Sequence, residues 1–421
     1  MFFSLISLAV AAPPQLDNVD LGYNVRLLPI IRFNPDFDSS TDDSTWKSLQ
    51  TIRLETKKTW DHLIIKASFQ DVRNWGQEPA PVLNSDAFTG VYEGYVQLGA
   101  KDNRSFWVRA GRQEYNLHDG MLMWNRPWNP YGITFNGVRG HYESGAFGIH
   151  TAAFVLNGAG KYETTCTADD CADFVPETIS SNGDFLYIVD VTYGVNAKLT
   201  LLPYFLILQQ GATASDANRD RKIFSPGLRM QGRLSPDLSY IAEGTFQFGN
   251  HNDRSHQAWR ASTSFAYTWE SMKFRLFYEE RSGDGDATDD LSNDFEPFFS
   301  AGHRFRGFGD YVGSTNIRDI GMSVQGTHSR HFNAKVDYHL FQLSNPNGSW
   351  YALGNASRGI GSGDDANLGH ELDIVLNWRP VPVCSLIFGH VFFLPTGEGS
   401  RIEGGDLSMA TYLWMRFEEK I

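Results

Sequence analysis

The side chains best equipped for chemistry in this chain are cations that fall on the polar side of alternating apolar and polar runs. Arg26, Arg53, Arg109, Arg139, Arg229, Arg233, Arg260, Arg275 and Arg379 hold such positions, with Lys66, Lys273 and Lys335. A guanidinium is a planar fork of donors that matches a carboxylate bidentately and stays charged at physiological pH, so this set suits recognition of anions rather than making bonds. Fewer acids share the same runs, among them Glu55, Glu93, Asp190, Glu243, Asp319, Asp337, Glu371 and Asp373. Some of the arginines are therefore expected to pair with these acids and hold the wall together, because buried charges need partners.

Other chemistry finds little support. His118-Asp119, His141, His150, His331 and His339 are scattered, and the chain contains no Gly-x-Ser-x-Gly elbow and no His-Glu-x-x-His. No enzyme activity and no cofactor is expected. Cys166 and Cys171 bracket Thr-Ala-Asp-Asp in a polar stretch, which suits a small loop disulfide in an oxidising compartment, whereas Cys384 sits alone among apolar residues as a small lipid- or core-facing side chain. The acidic run 284–296 offers many oxygens, but it lacks the glycine and terminal glutamate of an EF-hand loop. It is expected to be a solvated loop, with no metal assigned. A net charge of −13 argues against nucleic acid as a partner.

The elements that carry these residues are strands. In 62–70, Leu63, Ile65, Ala67 and Phe69 alternate with Ile64, Lys66, Ser68 and Gln70, and the same period of two recurs in 227–234, 331–340 and 368–379. No run of eighteen or more apolar residues exists for a transmembrane helix; the longest, Leu199 to Leu208, is too short and contains Pro203. Each alternating segment is about nine to twelve residues long, the length a tilted strand needs to cross a bilayer. Counted from about residue 21 to 418, the segments number about eighteen, and the links between them alternate between short and long. Short links include Glu143-Ser144-Gly145, Ser235-Pro236-Asp237, Ser329-Arg330 and Arg379-Pro380-Val381; long ones include 34–45, 71–87, 114–132, 157–183, 282–316 and 344–366. The expected fold is all-β: one closed antiparallel transmembrane barrel with short periplasmic turns and long extracellular loops in the bacterial outer membrane. Residues 1–12, small and apolar ahead of Pro13-Pro14, are expected to be a shortened signal peptide. A Lys or Arg facing lipid near the midplane costs roughly 2–4 kcal/mol, so the strand cations must look into a lumen.

Several ordered stretches together resemble the alginate-export family of outer-membrane porins. They are Gln70 to Gly76, Val108 to Gln113, Phe135 to Arg139, Ser282 to Asp286 leading to Asp294-Phe295-Glu296-Pro297, Gly307 to Asp310 with Asn316 to Asp319, and Leu368 to Asp373. The resemblance covers about residues 22 to 417. It implies a monomeric eighteen-stranded barrel whose electropositive conduit, narrowed by loops folded into the lumen, passes an anionic polysaccharide. Carried onto this chain, it places Arg53, Arg73, Arg109, Arg112, Arg139 and Arg318 on or near the path. Arg229, Arg233, Arg260 and Arg275 join that list from the alternation alone.

Two functions of different class follow. One is a selective channel for an anionic saccharide or another carboxylate-bearing solute. The other is a structural barrel, anchored among membrane lipids and lipopolysaccharide, that holds periplasmic or envelope partner proteins and has a lumen plugged by loops. The segment 117–132, with Met121, Met123, Trp124, Trp128 and Tyr131, is too apolar for a loop left in water. It is expected to fold into the lumen, touch lipopolysaccharide or dock a partner.

Overall fold

A period of two puts successive side chains on opposite faces of a strand, so a chain of such strands has one apolar and one polar sheet surface. In a bilayer the sheet edges must be satisfied, and closure into a barrel does this. The computed structural model describes residues 19–40, 43–75, 86–99, 105–156, 184–211, 220–354 and 356–420, and it has this closed form.

The strands are β1 (Val19–Phe33), β2 (Thr45–Thr59), β3 (Leu63–Trp75), β4 (Asp86–Gly99), β5 (Phe106–Gln113), β6 (Phe135–Ser144), β7 (Phe147–Val155), β8 (Phe185–Asn196), β9 (Leu199–Gln210), β10 (Arg221–Arg233), β11 (Leu238–His251), β12 (Arg254–Trp269) and β13 (Met272–Arg281). A short β14 (Leu291–Ser292) and helix α1 (Gly302–Phe305) precede β15 (Ile317–Ser329) and β16 (Phe332–Gln342). The small hairpin β17 (Ser349–Tyr351) and β18 (Ser357–Ile360) comes before β19 (Asn367–Val381), β20 (Cys384–Pro395), helix α2 (Glu398–Glu403) and β21 (Ser408–Lys420). Without the three short pieces β14, β17 and β18, the wall is a closed antiparallel barrel of 18 strands. Closure is made by β1, which pairs with β2 on one side and with β21 on the other.

The faces sort as the alternation requires. On β12, His256, Ala258, Arg260, Ser262 and Ser264 are buried inside, while Trp259, Phe265 and Tyr267 are exposed outside. Leu63, Ile65 and Phe69 share the outer side of β3, with Ser68 and Gln70 inside. Exposed tryptophans lie near both ends of the wall, Trp46 and Trp75 at one and Trp60, Trp269 and Trp378 at the other, where aromatic belts meet the membrane interfaces. No described helix is long and apolar enough to cross a membrane.

One end carries short turns, such as Gly145-Ala146 with Gly145 at φ 58° in open space. Long loops occupy the other end, except that β11 and β12 are joined there by Asn252-Asp253 alone, with Asn252 in the left-handed region at φ 56°. The hairpin expected at Arg379-Pro380-Val381 turns instead at Pro382-Val383, because Val381 still pairs with Cys384. Cys384 is buried with a free thiol. Residues 1–12 and the pair Cys166 and Cys171 lie outside the described residues.

Two apolar clusters fill part of the barrel interior. One joins wall residues of β7 to β10 (Phe154, Leu186, Ile188, Leu206, Leu208, Ile223) to Leu117, Leu122, Met123, Phe295 and Phe298 from the long connections. The other gathers Leu28, Phe37, Tyr311, Phe341, Trp350, Phe393 and Tyr412. Each such side chain contributes roughly 1.5–3 kcal/mol when buried. That burial holds the connections inside the barrel rather than in water.

Candidate functional site: the lumen and its inward segments

The connection β5–β6 (residues 114–134) and the connection β13–β15 (residues 282–316) both enter the lumen and bind each other through backbone groups. Trp124 N donates to Phe299 O at 3.0 Å, Phe299 N to Leu122 O at 3.1 Å, and Ala301 N to Gly120 O at 3.1 Å. Gly120 has φ 92° and lies against the Trp124 ring, where a Cβ would come within 2.8 Å. A side chain at that corner is disfavoured on both counts. The inward fold of 117–132 is thus the arrangement adopted: Leu117, Met121, Leu122 and Met123 are buried.

Wall side chains grip the carbonyl oxygens of the first segment. Arg26 donates to Pro127 O and, at 3.2 Å, to Pro130 O. The Thr51 hydroxyl reaches Pro130 O at 2.9 Å, Gln70 reaches Tyr131 O at 3.1 Å, and Arg139 reaches Glu114 O at 3.2 Å. From the opposite wall Arg281 donates to Met121 O at 3.0 Å.

Beneath this crossing lies a buried ion-pair network. Arg229 meets Asp119 at 2.8 Å and Glu243 at 3.2 Å; Arg260 meets Glu243 at 3.0 Å and Glu279 at 2.9 Å. Glu279 also receives Arg281 at 2.8 Å and Arg306 at 3.2 Å. Arg260 additionally contacts the Met121 sulfur. Four guanidiniums thus share Glu243, Glu279 and Asp119, and they tie β10 to β13 to both inward segments.

A second group has neutral partners. Arg53 donates to Gln70 at 2.9 Å with its guanidinium carbon 3.4 Å from the Tyr92 ring centre. Arg109 donates twice to Gln97, at 2.7 and 3.0 Å, and lies 4.1 Å from the Tyr95 ring centre. Arg139 stands over Tyr115 at 4.8 Å and Trp107 at 5.4 Å, and faces Arg109 across the β5–β6 register. Among the described residues, Arg26, Arg53, Arg109 and Arg139 make no ion pair. They stand together on the β1–β6 side of the wall. Nearby, Lys66 pairs with Glu93 at 2.5 Å and Glu55 at 3.4 Å, on the rim of an open cavity that also includes Arg53, Tyr92 and Glu419.

The remaining arginines separate. Arg275 packs on Phe277 and lines a small water-sized cavity with Asp119, Glu279 and Asp319. Arg233 is exposed at the periplasmic end of β10. Arg73, Arg112 and Arg318 are corrections to the sequence-based set, because all three lie on the outer face. Arg73 shares the parity of Ile65 and Phe69 and pairs with Asp71 at 2.6 Å. Arg112 shares that of Phe106 and Val108 and donates to Asn136, itself on the side of Val138. Arg318 has the parity of Ile320 and Met322 and pairs with Glu280 at 2.8 Å. Residues separated by an odd number cannot share a strand face, so Arg109 and Arg112 could not both line one path.

Sequence reasoning missed Arg281 and Arg306. The first had a signal, since it keeps the parity of Arg275 and Glu279; the second, in a connection, had none. The acidic run 284–296 is not simply solvated. Arg254 reaches Asp284 at 2.7 Å, Asp289 at 3.0 Å and the carbonyl oxygen of Leu291 at 2.6 Å, so a guanidinium occupies the space among these oxygens. Asp294 and Glu296 turn inward to Tyr351 and Arg221. Burial pushes the Asp294 carboxyl above its usual range.

A family model described as alginate export matches residues 18–411. Among solved structures, Pseudomonas aeruginosa OpdO superposes with a TM-score of 0.64 at 11% identity, covering 96% of this chain and 98% of that one. Acinetobacter baumannii OccAB3 gives 0.64 at 10% identity, covering 96% and 100%. Pseudomonas aeruginosa OccK11 (OpdR) gives 0.61 at 11% identity, covering 96% of each chain. These are outer-membrane porins, and at such identity the likeness concerns the fold. No curated protein sequence matches the chain.

Proposed function

The chain belongs to the alginate export family of outer-membrane channels, and from that premise we propose that it passes an anionic polysaccharide, or another carboxylate-bearing solute, along the arginine wall of β1 to β6. The observation that carries this reading is the neutral partnering of Arg26, Arg53, Arg109 and Arg139. Amides, carbonyl oxygens and aromatic faces orient a guanidinium without cancelling its charge, whereas Arg229, Arg260, Arg281 and Arg306 are largely neutralised by acids. Oriented cations at the edge of a water-filled space replace part of a carboxylate's hydration. They do so through weak serial contacts, which conduction requires.

Planar-bilayer recording tests it. The wild-type channel is expected to be anion-selective and to be blocked by uronate oligomers more than by neutral ones. Each solvent-accessible guanidinium–carboxylate contact is worth roughly 0.5 kcal/mol, so R53Q/R139Q weakens attraction by about 1 kcal/mol, roughly a fivefold loss of block. Cation selectivity, or equal block by neutral and uronate oligomers, overturns the reading.

The structural-barrel reading draws support from the inward segments, which pack as an apolar core. It predicts no conductance in the wild type and a co-purifying envelope partner. Bilayer recording separates the two readings.

A further inference from the structure

Opposite the arginine wall, the inner faces of β15, β16 and β19 carry Asp319, Asp337, His339, Glu371 and Asp373, all buried. Register builds this patch: Asp337 stands directly across from Asp373, and His339 across from Glu371. Like charges at directly opposed positions repel unless something lies between them. Among the described residues four cations face the patch: Lys335 pairs with Asp337, Arg275 lies across the adjoining cavity that Asp319 lines, Arg306 acts on Asp319, and Arg32 acts on Glu371 without forming an ion pair with it. Backbone donors serve one oxygen of each β19 acid: Phe308 N reaches Asp373 Oδ2 at 3.0 Å and Gly309 N reaches Glu371 Oε1 at 2.8 Å. The other oxygens, Asp373 Oδ1 and Glu371 Oε2, are buried and no donor group reaches them, while the two carboxyls lie within hydrogen-bond reach of each other.

We propose that Asp337, His339 and Asp373 hold a first-row divalent cation of the Zn²⁺ or Mn²⁺ type. Donor atoms of the three residues lie within 4.8 Å of one another. Ligands about 2.0–2.2 Å from a shared ion stand no farther apart than about twice that, so the cluster needs only a small contraction. His339 Nδ1 is 3.0 Å from Asp319, which leaves Nε2 as the nitrogen available to a metal. A carboxylate behind the imidazole is the usual device for fixing the ring and raising its basicity. One imidazole with two carboxylates favours first-row metals over Ca²⁺ or Mg²⁺, which prefer all-oxygen shells. The ion offsets the excess of carboxylates. Through Phe308 and Gly309 it also fixes the end of the second inward segment to the wall.

The test uses the whole folded barrel in detergent, stripped with a chelator and then titrated separately with Zn²⁺, Mn²⁺, Ca²⁺ and Mg²⁺. Bound metal is measured by elemental analysis and calorimetry. One equivalent of Zn²⁺ or Mn²⁺ per chain is expected, with H339Q and D373N losing it. D319N should bind about 10–100-fold more weakly, as for a carboxylate supporting a ligand from behind. Heat-modifiable electrophoretic mobility checks that each variant is folded. Should the ligand variants fail to fold, Mn²⁺ bound to the wild type must still show imidazole nitrogen coupling in its electron spin resonance. Less than stoichiometric binding of every metal overturns the proposal, as does binding unchanged in H339Q and D373N.

Discussion

The arginines of this barrel divide by what stands beside each guanidinium. Arg260 is fully buried between Glu243 and Glu279, Arg281 is fully buried against Glu279, and Glu279 alone serves Arg260, Arg281 and Arg306. Losing one partner of such a set leaves charge buried without compensation, at a cost of roughly 3–5 kcal/mol. E279Q is therefore expected to lower the unfolding free energy of the barrel by that much, and its urea midpoint with it, as followed by tryptophan fluorescence in lipid vesicles. A wild-type midpoint would mean that water reaches the network. Arg73 and Arg318 have local acidic partners on the outer face, so R73Q and R318Q should leave reversal potentials and uronate block unchanged. A selectivity change in either variant would contradict the face assignment.

At the scale of elements, the inward connections occupy part of the lumen, so they are expected to set how wide the conduit is. Removing residues 118–126 from the first takes away Leu122, Met123 and the backbone pairing to Phe299 and Ala301. Single-channel conductance is expected to rise and uronate block to fall, because solute then passes farther from the wall cations. Unchanged conductance would place the constriction elsewhere. The loop around α2 offers a test outside the membrane. The Arg401 hydrogen bond, followed by those from Ser362, holds the Glu398 carboxyl below its usual range. A depressed folded pKa contributes stability that is present above the unfolded value, about 4.3, and is lost as pH falls through the lower folded value. Protease protection of this loop should therefore decline below about pH 4, and E398Q should remove that dependence. Protection that is flat with pH in the wild type would contradict it.

For the whole molecule the governing choice is which sheet surface meets lipid. Leu276, 64% exposed and flanked in register by Phe265 and Met322, belongs to the outer band. L276R is expected to cost roughly 2–4 kcal/mol if it lies near the midplane, and less toward an interface. The loss should be read in the yield and urea resistance of the refolded barrel, with L276Q milder. An L276R barrel as stable as wild type would mean that this face does not touch acyl chains.

How much of this was legible follows from locality. Strand positions, the even strand number, the alternation of link lengths and the two faces of segments such as 62–70 are consequences of a two-residue period, which the chain displays in order. Leu199 to Leu208, read only as too short for a transmembrane helix, also carried a signal for the packed interior, since a strand apolar on both faces needs lipid outside and packed side chains inside. Parity alone would have moved Arg73, Arg112 and Arg318 to the outer face. Only the closed barrel decided which lumen charges neutralise one another. Glu279 gathers Arg306 from a distant connection, and Asp337 meets Asp373 through a register across two strands and a long loop. Such meetings depend on closure and on where the inward segments settle, and the chain does not encode either within a neighbourhood short enough to read.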